Sequence, residues 1–402
     1  MFKERIKTHH SAMSEGRKYM AGMDTVENVL REENRSGKNN AVIYIHVPFC
    51  NKICSFCNMR RSLQKPTEDY CSLIRKEIEK YAELPYIKTT IFDAVYFGGG
   101  TPTTLPAEGL SGIVKALKQN FRFTEDAEFS VETTVTELTE EKQEALTAAG
   151  VNRFSVGVQT FDDRGREKMG RIGTGDYAYQ RLEQLKRFPG VTVSMDLIYN
   201  YPGQTMDSLE EDLDRICGLD LDGFSMYSLI NMKNASIDRA QDERNDEKMF
   251  FYIAERMKAK GYRFLELTKM VKGDRYRYIM NRHQGADTLP LGAGAGGSVN
   301  HLALMNQIDL TEYARSVENF RDRSGMLFVP EYDRIVRFKG DIQTTFLPRD
   351  EALYGDRNVY LDYRQVLSDN GMTTEQKGIY RLTDKGIFWG NTISRELSEM
   401  IS

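Results

Sequence analysis

The chain has 402 residues but only one tryptophan, five cysteines and ten prolines. So few cysteines over such a length exclude a disulfide-stapled scaffold. No apolar stretch follows the basic residues Lys3, Arg5 and Lys7, so the expectation is a reducing, cytoplasmic setting. No apolar run approaches the roughly 18 residues of a membrane span, and none is predicted. Lys and Arg number 55 against 59 Asp and Glu, a net charge of −4. That balance gives no basic field for nucleic acid or anionic lipid. Two glycine signatures are also missing. No G-x-G-x-x-G follows the first strand-like run, and no Gly-Lys-Ser/Thr closes a phosphate loop, which removes the dinucleotide and P-loop folds from consideration.

What is present starts with Cys50, Cys54 and Cys57, at C-x3-C-x2-C spacing directly after the apolar run 41–48. That run reads as a buried strand. A loop at a strand end can fold three thiolates around one corner of an iron–sulfur cube, which normally takes four cysteines. The next cysteine, Cys71, falls in a segment of helical periodicity. One iron would then stay open for chemistry. A zinc knuckle with His46 as fourth ligand is the competing reading, and His46 lies inside the strand.

Beyond the cysteines, strand-like and helix-like patterns alternate. Strands are predicted at 41–47, 92–97, 127–132, 152–157, 192–198 and 222–227. Helices are predicted at 67–84, 106–120, 139–149, 175–187, 206–217 and 243–260. Alternation of this kind implies a parallel sheet, because parallel neighbours need crossovers. The fold class is α/β: a partial (β/α)6 TIM-like barrel with a small α+β C-terminal domain of winged-helix type. Residues 1–40 read as an N-terminal arm, 41–270 as the barrel and 271–402 as a C-terminal domain covering the substrate. In such barrels the site lies at the C-terminal ends of the strands. Cys50, Gly98, Glu132, Gln159 and Asp196 all fall at or just past a predicted strand end, which argues for one shared pocket.

Several motifs keep two readings each. Gly98, Gly99 and Gly100, followed by Thr101, can let backbone approach a ligand or simply make a tight turn. Glu132 can meet a ribose diol or end in solvent. Arg171 offers a bidentate fork for a ligand carboxylate, or a surface charge. Asp196 needs a partner if buried, or caps the following turn. The segment 285–297 is dense in glycine but broken by Ala, Leu and Pro, which suits packing against a flat ligand better than a solvated tether. His301 and Met305 follow it at i, i+4 spacing, facing a metal or the core. Tyr276 and Tyr278 read as packing residues.

Taken in order, the run from Tyr44 through Cys50, Cys54 and Cys57, then Gly98-Gly-Gly-Thr-Pro102, Gly157-Val-Gln159 and Asp196-Leu-Ile-Tyr199, resembles the radical SAM superfamily. Within it the chain is similar to the oxygen-independent coproporphyrinogen III oxidase-like branch. The resemblance implies a 4Fe–4S cluster on Cys50, Cys54 and Cys57, with S-adenosylmethionine on the open iron. By motif position Tyr44, Gly99, Gly100, Thr101, Glu132, Gln159, Arg171 and Asp196 would contact S-adenosylmethionine. Met59 stands where the true oxidases carry a further cysteine, and the glycine segment ends Gly294-Ala-Gly-Gly297 where haem chaperones tend to have G-A-G-A-H. It looks most like the anaerobic haem-degrading methyltransferases. Those would use two S-adenosylmethionine molecules, a flavodoxin-like electron donor and haem or a related porphyrin, with Gly294, Gly296, Gly297 and His301 as candidate substrate contacts. A haem-binding chaperone and a methylase of a non-porphyrin natural product are the alternatives. The sequence singles out no catalytic side chain.

Overall fold

The computed structural model describes residues 2–7, 18–34, 41–59, 61–65, 69–230, 235–237 and 242–401. The predicted helix start at Thr67 and part of the predicted arm, 8–17 and 35–40, lie outside the described residues. A short strand, β1 (Met20–Thr25), precedes the predicted series. The six expected strands then follow: β2 (Ala41–Val47), β3 (Ile91–Gly99), β4 (Arg122–Thr134), β5 (Arg153–Gln159), β6 (Thr192–Tyr199) and β7 (Gly223–Ser228). Helices α1 (Tyr70–Ala82), α2 (Ala107–Asn120), α3 (Glu140–Ala149), α4 (Gly175–Lys186) and α5 (Met206–Gly218) make the crossovers between them. The six strands pair in parallel, each with the next.

Local chemistry sets the ends of these elements. Thr139, Thr174 and Thr205 each cap a helix N-terminus with a side-chain oxygen, a contact worth about 1 kcal/mol. Thr205 and Ser208 complete a capping box. In β2, Ile43, Ile45 and Val47 are fully buried in the core under the helices, each contributing roughly 1.5–3 kcal/mol. Val42, Tyr44 and His46 alternate onto the inner face, where Val42 and Tyr44 join a separate cluster with Ala94, Tyr96, Tyr276 and Tyr278.

The sheet continues past residue 270. After helix α6 (Glu243–Ala259), β8 (Arg263–Glu266) and β9 (Lys269–Val271) add antiparallel beside β7. Helix α7 (Arg277–His283) lies against β2 and β3. Strand β10 (Thr288–Leu291) then pairs in parallel with β2 on the opposite edge. Strands β11 (Gly296–Val299), β12 (Leu302–Met305) and β13 (Ser324–Phe328) extend that edge antiparallel, and β1 closes it against β13. The result is an open thirteen-stranded sheet among the described residues. The C-terminal part adds α8 (Tyr332–Gln343), α9 (Arg357–Asp369), a hairpin of β14 (Thr373–Gln376) and β15 (Ile379–Leu382), and helices α10 (Asp384–Phe388) and α11 (Gly390–Glu399). Thr383 caps α10 through the Gly386 N–H, and a Cβ on Gly386 would collide with the Met372 carbonyl.

Polar residues fill the lower part of the barrel. Arg153 makes a bidentate pair with Asp274, Nε to Oδ1 and Nη2 to Oδ2, both at 2.9 Å. Lys269 adds a contact to Asp274 at 3.3 Å and donates to Ser194 at 2.7 Å. All three charged side chains are buried. Burial opposes ionisation of Asp274, but Arg153 and Lys269 hold its carboxyl far below the usual range. Tyr276 covers the Arg153 guanidinium at 4.2 Å. This network plugs the barrel from below and leaves the C-terminal ends of the strands as its mouth. No described helix is long and apolar enough to cross a membrane.

Candidate functional site

The cysteine loop leaves β2 and returns at once. Cys50 N–H donates to Ser62 O at 2.9 Å and Ser62 N–H to Pro48 O at 2.7 Å, so Ser62 is held back against the end of β2. Cys57 N–H reaches Cys54 O at 3.1 Å. Ser55 docks the loop onto the segment after β5, its N–H on Met169 O and its hydroxyl on Lys168 O. Gly170, with φ +68°, lies under that contact; a Cβ there would sit 3.4 Å from Ser55 N. All three cysteines are free and half-buried. Arg61 donates to Cys57 O at 2.7 Å.

Around these thiols stand polar groups from the segments that follow β3 and β5. Arg171 donates to Cys54 Sγ at 3.1 Å and also to Gly157 O. Cys50 Sγ is 3.6 Å from Thr101 Oγ1. Burial pushes the Cys50 thiol up, and the neighbouring Cys57 and Cys54 add to this. A small recess between Cys54, Thr101, Gly170 and Arg171 adjoins the loop. Among the described residues, Gln159 Oε1 and Arg171 Nε are buried beside it without a partner. Gln159 also carries φ +69°, an unusual backbone for a non-glycine residue. Strain and unmet hydrogen-bonding capacity at one strand end mark a place that a polar ligand completes.

Glu132 sits one layer in. Tyr96 donates to its Oε1 at 2.6 Å and Gly99 N–H to its Oε2 at 3.3 Å. Burial raises its carboxyl to about 7, against the pull of the Tyr96 bond and with help from the nearby Asp196 charge. Asp196 is itself raised by burial and opposed by Lys269 and Ser225. Tyr44 OH lies 2.9 Å from His46 Nδ1. His46, the ligand required by a zinc knuckle, is thus engaged on the inner face of β2.

The three glycines are demanded by packing. A Cβ on Gly98 would lie 2.9 Å from Glu132 Oε2, one on Gly99 would overlap the His46 ring, and one on Gly100 would lie 2.5 Å from Phe49 O. Their backbone carries the loop directly: Thr101 N–H donates to Phe49 O at 2.8 Å. The structure therefore brings together Tyr44, Cys50, Cys54, Cys57, Gly99, Gly100, Thr101, Glu132, Gln159, Arg171 and Asp196. Gly294 stands beside His46, 3.8 Å from its ring by a Cβ. Gly296 and Gly297 line a separate cavity of about 520 Å³ between α7, α8 and α11. His301 does not join them; it turns at the far end of the β11–β12 hairpin with φ +66°, its Nδ1 3.4 Å from Asp333. Sequence reasoning missed Arg61, Tyr96 and the Arg153–Asp274–Lys269 plug. The period-2 polar positions Glu128, Ser130 and Glu132, and likewise Ser194 and Asp196, were the signal for an inward polar face.

The donor set fits the iron–sulfur cluster and S-adenosylmethionine. Three thiols share one loop, an arginine already donates to one of them, and orphaned polar atoms lie alongside. Fold and site thus define a partial β/α barrel with a three-cysteine centre at the C-terminal strand ends.

Comparison with known proteins agrees. The profile of the radical SAM superfamily matches residues 44–216. Anaerobilin synthase from Escherichia coli O157:H7 is 30% identical over 378 residues, covering 90% of this chain and 84% of that protein. The heme chaperone HemW of Lactococcus lactis is 26% identical, covering 87% and 95%. The solved structure of coproporphyrinogen III oxidase (HemN) from Escherichia coli superposes with a TM-score of 0.75 at 21% identity, covering 94% of this chain and 96% of that one. The chain belongs to the radical SAM superfamily, in its coproporphyrinogen III oxidase-like branch. Membership implies a 4Fe–4S cluster and S-adenosylmethionine.

Proposed function

We propose that this enzyme methylates haem and opens its ring without oxygen, releasing iron and a linear tetrapyrrole. The observation that carries this reading is the cavity floored by Gly296 and Gly297, two strands along the sheet from Tyr44. Its volume, about 520 Å³, falls in the range of roughly 300–1,000 Å³ typical of small-ligand and cofactor sites. The 30% identity to anaerobilin synthase over most of both chains points the same way.

When bound, the cluster and S-adenosylmethionine supply reductive cleavage to a carbon radical; the protein supplies position and shelter. Cys50, Cys54 and Cys57 would hold three irons. Arg171 keeps a donor on the Cys54 sulfur, and Gln159 offers an unmet acceptor. Glu132, fixed by Tyr96 and Gly99, is an acceptor for ligand hydroxyl or ammonium groups, and a cation beside it would favour its charged form. The tyrosines at 44, 96 and 278 cluster on the inner face, with Tyr96 and Tyr278 stacked at 4.6 Å, and limit water near a reactive intermediate. The reading includes a second S-adenosylmethionine as methyl source and a flavodoxin-like protein as electron donor.

The second reading, a haem chaperone, rests on the 26% identity to HemW. His301, the residue that could replace the missing chaperone histidine, lies outside the cavity, which favours degradation. Protein loaded with haem and mixed with an apo-haemoprotein acceptor separates the two. Degradation predicts haem lost only when S-adenosylmethionine and reductant are present. Transfer of intact haem with no S-adenosylmethionine consumed would overturn it.

A further inference from the structure

The inner face of the sheet does not stop at the barrel. Pro290 of β10 pairs with Tyr44. Thr288 pairs antiparallel with Ser298, which sets Pro290 opposite Gly296. Gly296 pairs with Met305. One row across four strands therefore reads Tyr44, Pro290, Gly296, Met305. Two residues back along β12, Ala303 pairs with Met326, and Met326 with Met23 of β1. Side chains alternate along a strand, so Met305, Met326 and Met23 share the face of Tyr44. The opposite face, Leu302 and Leu304, is buried.

The three methionines are 57%, 41% and 65% exposed. Exposed apolar side chains sharing one sheet face mark an interaction surface, and methionine adapts to irregular apolar partners. The floor between them and Tyr44 is bare: Gly296 has no side chain, and a Cβ built there meets nothing closer than Leu304 O at 3.8 Å and Met305 Cε at 4.0 Å. Over this floor lies the cavity, and its other walls are cationic. Arg282, Lys339 and Arg395 line it, and no Asp or Glu does among the described residues. Arg282 is steadied by the Tyr278 hydroxyl, which accepts from it at 3.3 Å. His283, the other titratable group on the wall, is engaged by Glu266 at 2.6 Å.

We propose that this cavity seats a planar apolar dicarboxylate, its ring against Gly296 and Met305 and its two carboxylates toward Arg282 and Arg395. The proposal rests on the haem reading above and places that substrate: the propionates supply the carboxylates, and the ring edge nearest Tyr44 is turned toward the barrel mouth. Guanidinium–carboxylate pairs are charge-assisted and geometrically selective. The bare glycine is what admits a flat ring to the sheet.

Two variants of the reconstituted protein test this by Soret titration with haem and with haem dimethyl ester, which has no free carboxylate. Gly296→Val fills the floor with its Cβ at ordinary contact distance from Leu304 O, 3.8 Å, and should weaken both probes at least about tenfold. The double variant Arg282→Ala/Arg395→Ala should weaken haem by about tenfold or more, the scale of one charge-assisted hydrogen bond, and leave the ester unchanged. Cluster iron content and thermal midpoint should match wild type in both. If wild type binds haem and both variants bind it equally well, the placement is wrong while the haem reading stands. If wild type binds neither probe, the haem reading falls and the placement with it.

Discussion

Gly100→Ala should detach the cysteine loop from the barrel without unfolding the barrel. The new Cβ would lie 2.5 Å from Phe49 O and 2.9 Å from Pro48 C. Both are backbone atoms, so no side chain can swing away, and Phe49 immediately precedes Cys50. Overpacking of this kind costs about 1–3 kcal/mol. Two backbone bonds are also strained, Gly100 N–H to Val47 O and Thr101 N–H to Phe49 O, each at 2.8 Å, and each worth about 1 kcal/mol. Against this, alanine restricts the unfolded chain and returns about 0.4–1 kcal/mol, since Gly100 has no positive φ to defend. The balance is a loss of about 2–5 kcal/mol. Urea denaturation of the apoprotein measures it, and iron content after anaerobic reconstitution reads the displacement of Cys50. Gly112→Ala, on the α2 surface with nothing nearer than 3.7 Å, is the matched control and should be neutral or slightly stabilising. A Gly100→Ala protein with wild-type stability and wild-type iron would refute the packing argument.

Other outcomes follow from the same geometry. Replacing Cys50, Cys54 and Cys57 together by Ala should abolish the iron and sulfide content of reconstituted protein and its visible charge-transfer absorbance; retention of either would sink the cluster assignment. Glu132 keeps in the folded state, up to about 7, a proton that the unfolded chain releases near 4.5. Its stabilising contribution is therefore full below the unfolded value and declines as pH rises through the folded one. Wild type should lose stability relative to Glu132→Gln between about pH 5 and about pH 8, and a pH-independent difference in denaturation midpoint would contradict this. Asp274→Ala leaves Arg153 and Lys269 buried without their shared partner and should cost about 3–5 kcal/mol; a loss below about 1 kcal/mol, the scale of an exposed pair, would show that the plug is hydrated.

The barrel was legible because its strands and helices differ in period, and caps such as Thr139 and Thr205 stand at the helix starts. The predicted strand 192–198 and the observed Thr192–Tyr199 differ by one residue. The C-terminal edge was much less so. Strand β10 is four residues, Thr288–Leu291, all buried, so it shows no alternation, and β11 begins with two glycines that carry no hydropathy signal at all. Strand β1 forms only because Ser324–Phe328 returns to it from 300 residues away, a contact that no local pattern encodes. The site was read from spacing and strand ends, and its residues do gather. What spacing cannot supply is side-chain direction: His301 and Met305 share an i, i+4 offset, yet only Met305 lies beside the cavity floor, because the segment is a hairpin and not a helix.

The most direct test is an anaerobic reaction of the reconstituted protein with reductant, haem and S-adenosylmethionine labelled in its methyl group. Methylating haem degradation predicts loss of the Soret band together with 5′-deoxyadenosine and S-adenosylhomocysteine, and a linear tetrapyrrole carrying the labelled carbon. Haem recovered intact, with or without cleavage of S-adenosylmethionine, would contradict it.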